Sequence, residues 1–198
     1  MRTAVLGLLA ALLTGLGVTA GAGVASACAG GPVARSAAFA STLPQVRYGQ
    51  SGTTVQGLQL NLKDRGYSLT GTGYYGPLTL AAVKDFQRKH GINPSGIVGS
   101  RTWQALVGSK AVGLTTPRPA PRFSVYPGER DRVKVGTLLG YLGRTYGYGD
   151  SDTWYGPAMQ QQVKRFQKAN GIKASGIVGA KTWAALNKVI SIAGNWGC

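Results

Sequence analysis

Apolar side chains recur at helical spacing three times in the first half of the chain, and the same pattern returns 80 residues later. Val55, Leu58 and Leu62 predict a first helix, with Thr53 or Thr54 as its N-cap and Gly66 as its stop. After a loop at Gly71-Thr72-Gly73, Pro77 is placed to open a second helix, whose Leu80, Val83 and Phe86 share one face and which stops at Gly91. A Gly-rich turn over 94–99 leads to a third helix with Trp103 and Leu106 facing inward. Helical spacing therefore puts Trp103, Phe86, Leu58, Leu62 and Val83 in a core, together with their counterparts such as Trp183 and Phe166.

The repeat is explicit at the level of residues. Residues 75–106 and 155–186 align without a gap, and 18 of the 32 positions are identical. Val135, Leu138 and Leu142 extend the match to the first helix, although Leu139 replaces Gln59, Tyr146 replaces Gly66, and Glu129 and Arg132 stand at the offset positions of Gly49 and Gly52. Between the copies, Pro117, Pro119 and Pro121 alternate with other residues, which blocks helix and strand and favours an extended spacer. The predicted architecture is all-α, with two tandem three-helix modules of about 65 residues, near the lower limit for independent folding. The expected layout is a signal peptide over 1–27, a flexible segment over 28–42, modules over 43–108 and 125–190, a Pro-rich linker over 109–124, and a tail over 191–198.

The leader assignment rests on Arg2, the apolar run from Val5 to Leu13 and the small residues Ala25-Ser26-Ala27. That run is too short to span a membrane once Gly15 and Gly17 interrupt it, so an exported chain without a transmembrane helix is expected. Cleavage after Ala27 would leave Cys28 first and Cys198 last. An oxidising exterior favours a disulfide between them; the alternative is lipid attachment at Cys28, although Ala25 stands where such cleavage boxes usually carry Leu.

Charge narrows the partners. With 22 Lys and Arg against 6 Asp and Glu, the formal net charge is +16, which suits a polyanion such as anionic lipid, nucleic acid or a bacterial wall with its carboxylates and phosphates. Export argues against nucleic acid. Catalysis finds little to work with: one histidine, His90, and the scattered acids Asp64, Asp85, Glu129, Asp131, Asp150 and Asp152 suggest neither a metal site nor a carboxylate pair. No enzyme, metal or cofactor is expected on these grounds.

A family resemblance adds specificity. Arg47-x-Gly49-x-x-Gly52, Val55-x-x-Leu58-Gln59-x-x-Leu62, Tyr75-Gly76, Ala82-Val83-x-x-Phe86-Gln87, Gly91-Ile92, Gly96-x-Val98-Gly99 and Thr102-Trp103-x-x-Leu106 occur in order. Tyr155-Gly156, Val163-x-x-Phe166-Gln167, Gly176-x-Val178-Gly179 and Thr182-Trp183-x-x-Leu186 repeat them. Together they resemble the three-helix peptidoglycan-binding domain found beside many bacterial cell-wall hydrolases. The chain departs from that pattern at Gly73-Tyr74, Thr153-Trp154, Ser95-Gly96 and Ser175-Gly176, where the family often carries Asp-Gly.

The resemblance implies binding to peptidoglycan or muropeptides; with the leader, the charge and the sparse titratable residues, the expectation is a secreted, non-catalytic, monomeric protein whose further partners are anionic wall polymers. The alternative is a docking module that holds an enzyme or anionic wall polymer by its basic surface. Loop aromatics are the first ligand candidates: Tyr74, Tyr75, Trp154 and Tyr155 sit in Gly-flanked loops and have faces suited to sugar rings. Arg101 and Lys181 open the third helix of each module, beside backbone N–H groups suited to a carboxylate or an N-acetyl carbonyl. Gln59, Gln87, Gln167 and Arg47 complete the set as candidate amide or charge contacts.

Overall fold

The computed structural model describes residues 34–110, 115, 118–147 and 153–196. The leader assigned to 1–27, the cysteines Cys28 and Cys198, and the acids Asp150 and Asp152 lie outside the described residues. The architecture is all-α: α1 Ala34–Ser41, α2 Thr53–Lys63, α3 Pro77–Lys89, α4 Ser100–Trp103, α5 Arg132–Tyr146, α6 Pro157–Ala169 and α7 Ala180–Ala193. A π-helical turn over Gln104–Gly108 continues α4. Among the described residues, extended pairing is confined to isolated bridges, including Val46 with Val98 and Val125 with Val178.

Each module folds three helices around one tryptophan. Trp103 and Trp183 are fully buried, and each indole N–H still finds an acceptor: Pro44 O at 2.9 Å and Phe123 O at 2.8 Å. A buried indole without a partner would carry a desolvation cost, so these bonds fasten each lead-in segment across the base of its module. Pro77 and Pro157 open α3 and α6 where the missing N–H costs nothing. α2 begins behind Gly52, so neither Thr53 nor Thr54 is its cap; the matching position before α5 is Asp131, whose carboxylate accepts from the Val133 and Lys134 N–H groups.

The lead-in registers are offset by 79 residues, where the sequence alignment carries 80 throughout. Gly49 and Gly128 both sit at φ +87 and both donate a backbone N–H, to Tyr75 O and Tyr155 O respectively, each at 3.0 Å. Gly128, not Glu129, is therefore the counterpart of Gly49, and it supplies the left-handed backbone that a side chain resists. The one-residue insertion is absorbed by the start of α5.

Part of the segment read as flexible is the helix α1. Its alanines favour helix, and it packs on the π-helical turn: Gln104 Nε2 donates to Ala37 O at 2.9 Å, Ala40 is buried, and Ser36 and Thr115 hydroxyls pair at 2.8 Å. Alanine periodicity is too weak a hydrophobic signal to announce such a helix.

The modules also pack against each other, which the spacer reading did not foresee. Every residue of α2 from Val55 to Leu62 is buried, because its second face meets α7. Leu60 joins the core of the second module and Ile192 that of the first. The Asn61 amide donates to Ile192 O at 2.7 Å, and Asn170 Nδ2 donates to Gln56 Oε1 at 2.9 Å. The Lys110 ammonium donates to Ala193 O near the C-terminus of α7, where the helix dipole favours a cation, although burial holds its pKa below the usual lysine range. Gly57 permits the close approach: a Cβ there would lie 2.6 Å from Ile192 Cβ.

Candidate functional site

The first module carries a groove shaped by one buried amide. Gln59 Nε2 donates to Tyr74 O at 2.8 Å and to Thr79 Oγ1 at 2.9 Å, while its Oε1 accepts from the Gly73 N–H at 2.8 Å. These bonds fix the loop before α3 and present the ring of Tyr74, which is 49% exposed. Beside it lies a hollow of about 270 Å³ lined by Gln59, Leu69, Thr70, Thr72, Tyr74 and Leu78. Leu78 is 74% exposed, an apolar side chain left at the groove edge. A second hollow of about 320 Å³ shares Ser68, Leu69 and Leu78 and extends the groove to Tyr67 and Asp85.

The far end of the groove is a polar cluster. Tyr67 donates its hydroxyl to Asp85 at 3.0 Å, and Lys89 pairs with the same carboxylate at 2.7 Å. The Lys89 ammonium, then the Tyr67 hydroxyl, hold the Asp85 carboxyl below the usual carboxylate range; Asp85 in turn raises Lys89. Burial, then the Asp85 hydrogen bond, pushes the Tyr67 phenol up.

Several candidates from the sequence turn out to be internal fasteners. Tyr75 and Tyr155 are fully buried and donate their hydroxyls to Gly96 O and Gly176 O, with burial raising both phenols. Gln87 accepts from the Gly96 N–H at 2.9 Å and donates to Ile97 O at 2.9 Å and Thr102 Oγ1 at 3.1 Å. Gln167 repeats the arrangement with Gly176, Ile177 and Thr182. These four side chains, and the engaged amide of Gln59, are occupied in shaping turns. Periodicity beside core residues marked them as polar but did not show that their partners were backbone groups.

The exposed candidates do not converge on one point. Arg101 lines a separate hollow of about 340 Å³ with Gln45, Asn93, Ser95 and Ile97. Lys181 and Arg47 are exposed on the surface. Trp154 is partly buried, and the Arg130 guanidinium lies 5.3 Å from its ring centroid, so a cation already occupies one face. The modules are therefore unequal: Tyr74 offers an open ring over an apolar groove, whereas Trp154 is engaged. Sequence reasoning missed Leu69 and Leu78; the latter was visible as an apolar residue off the Leu80–Val83–Phe86 face of α3. It also missed Arg165 and Lys168, which line a hollow with Tyr74 although they belong to the other module.

An aromatic ring beside apolar side chains and fixed hydroxyl and carbonyl groups suits a ligand with both apolar ring faces and hydrogen-bonding edges. Among the described residues, no three His, Cys, Asp or Glu side chains gather as a metal site would require.

The chain matches the model of the family described as "Putative peptidoglycan binding domain" twice, over residues 51–106 and 135–186, which together exceed half its length. It is 34% identical over 170 residues to the N-acetylmuramoyl-L-alanine amidase CwlL of Bacillus licheniformis, covering 76% of this chain and 47% of that protein. It is 33% identical over 155 residues to a protein of the same organism named "Probable N-acetylmuramoyl-L-alanine amidase", covering 71% of this chain and 44% of that one. The chain thus spans about half the length of these two curated relatives. A Burkholderia AP3 phage endolysin matches with 18% identity and a TM-score of 0.33, covering 76% of this chain and 79% of that one. The expectation that this chain is no enzyme is overturned by relatives, 33–34% identical over most of its length, that are named N-acetylmuramoyl-L-alanine amidases. Both halves of this chain belong to the peptidoglycan-binding domain family.

Proposed function

We propose that this protein is exported and holds bacterial cell-wall peptidoglycan, with the Tyr74–Leu78 groove of the first module as its principal grip. The carrying observation is the open ring of Tyr74 beside a groove whose loop is held by Gln59. A sugar ring lies on Tyr74, and the N-acetyl or peptide groups meet the Thr70 and Thr72 edge. Trp154, Arg47, Arg101 and Lys181 serve as outlying contacts. Family membership supports the wall as partner, and the leader-like residues 1–27 support export. The similarity to amidases supports a place in wall cleavage at the muramoyl–alanine bond, with these modules supplying the hold on the substrate.

A sedimentation assay with phosphate-stripped peptidoglycan tests the reading. The protein is expected in the pellet at about 0.5 M salt, where screening has shortened charge interactions to a few ångströms. Retention only at low salt would instead favour docking by the basic surface. In the same assay, excess protein should slow wall lysis by a Bacillus amidase carrying modules of this family. Unchanged lysis at saturation would sever the proposed link to shared wall sites.

A further inference from the structure

A hollow of about 370 Å³ lies at the junction of the modules, with Thr72, Gly73 and Tyr74 of the first facing Arg165, Lys168 and Ala169 of the second. It is a built junction. Gln56 Nε2 donates to Gly71 O at 3.0 Å, and the same amide's Oε1 accepts from Asn170 just past the end of α6 at 2.9 Å. A Cβ added at Gly73 would sit 3.3 Å from the Ala169 Cβ, so loop and helix are already in near contact. Arg165 and Lys168 are exposed and three residues apart on α6, hence on one face.

Neither cation has a carboxylate partner among the described residues, where ion pairs join Asp85 to Arg88 and Lys89, and Glu129 to Lys134. Two like charges on one wall of a hollow favour an anion there. Thr72 and Tyr74 line both this hollow and the aromatic groove, so a single ligand can touch both.

We infer that the junction is an anion subsite: Arg165 and Lys168 receive a carboxylate of the stem peptide attached to a sugar that lies on Tyr74. The inference rests on the wall-binding reading above. It makes the second module a contributor of charge to the site of the first. Carboxylate and phosphate share the chemistry the cations recognise, and the stem peptide is favoured because it is linked to the sugar itself.

The test titrates the full chain with a soluble disaccharide–tetrapeptide muropeptide, the same muropeptide with amidated carboxylates, and a glycerol phosphate oligomer. R165A/K168A is expected to weaken muropeptide binding about tenfold, as two partly screened contacts allow. The charge-matched control K173A/K188A removes two exposed cations that do not line the hollow and should leave affinity within about twofold. Amidation should reproduce the tenfold loss in the native chain and add nothing in R165A/K168A. Equal losses in both double variants, or none in either, would overturn the subsite. Competition by the phosphate oligomer with indifference to amidation would overturn the stem-peptide assignment. Binding abolished by Y74A but untouched by R165A/K168A leaves the groove standing and removes the subsite; a native chain that binds no muropeptide removes both.

Discussion

Asn61 of the first module donates its amide to the main-chain carbonyl of Ile192, 131 residues away, at 2.7 Å. Its Oδ1 accepts from Arg65 Nε at 3.0 Å, and Arg65 also donates to Leu106 O at 2.6 Å. One polar cluster, buried at Asn61 and open to solvent at Arg65, therefore joins α2, the end of the first module and the last helix of the second. N61A leaves the Ile192 carbonyl without this donor and should cost about 1–3 kcal/mol. Urea denaturation of the whole chain measures it, and an unchanged midpoint would show that the junction is incidental.

Gly57 offers a sharper test, because two principles oppose each other there. On an isolated helix, Gly→Ala gains about 1 kcal/mol. Here the new Cβ would meet Ile192 Cβ at 2.6 Å and Val189 O at 3.2 Å, so G57A should destabilise by about 1–3 kcal/mol as the helices are forced apart. X-ray scattering should show a larger radius of gyration. A stabilised and equally compact G57A would contradict the packed arrangement.

Adjacent tyrosines separate fastening from binding. Y75F removes only the hydroxyl bond to Gly96 O and should lower stability by about 1 kcal/mol without changing peptidoglycan retention. Y74A should leave stability within about 0.5 kcal/mol, since its ring is half exposed, and lower retention about tenfold. Thermal melts paired with sedimentation distinguish them, and the opposite pattern would move the site elsewhere.

The second module already carries leucine where the first has Gln59. Q59L removes the donor to Tyr74 O and the acceptor for the Gly73 N–H, so it should cost about 2 kcal/mol and weaken binding through a loosened Tyr74 loop. Q87L, which orphans the Gly96 N–H, should cost a similar amount while leaving the Tyr74 groove intact. Equal effects of both on wall retention would argue against a groove organised by Gln59.

Asp85 gives a pH dependence with a defined sign. Its folded pKa is held down by Lys89 and Tyr67, so the stability it contributes is present above the unfolded value of 3.8 and is lost as pH falls through the lower folded value. Lys89 is raised by the same pair, so its share is present below 10.5 and is lost as pH climbs through the higher folded value. D85N should flatten both limbs of the stability profile. A profile that keeps its acid limb in D85N would assign that limb to another carboxylate.

The helices and their cores were legible because Val55–Leu58–Leu62, Val83–Phe86 and Trp103–Leu106 repeat at a spacing that only a helix uses. The exposed aromatic at Tyr74 was legible from its Gly-rich loop. Tyr75 was not separable from it, because burial depends on which way a loop turns, and the Gly96 carbonyl that receives its hydroxyl lies 21 residues on. The modular seam left no periodic trace: Gly57 and Asn61 meet α7, and Gln56 meets Asn170 past the end of α6, only once the second module is in place. The 79-residue register of Gly49 and Gly128 hid behind a one-residue insertion that only backbone bonding reveals.

The packing of α2 on α7 holds the second module against the first, so on the proposed wall-binding reading the Arg165–Lys168 edge of α6 stands at a set distance from the Tyr74 groove. A floppy tether would accept many spacings on a polymer, with a graded entropic penalty for each. A rigid pair acts as a gauge instead. On the proposed reading it would engage groove and charged edge together only where sugar and stem peptide are presented at a matching spacing, and elsewhere would hold by the groove alone. On that reading wall architecture would be sensed by phase, and cross-linking or strand stretching that shifts the spacing would change occupancy without altering a single sugar.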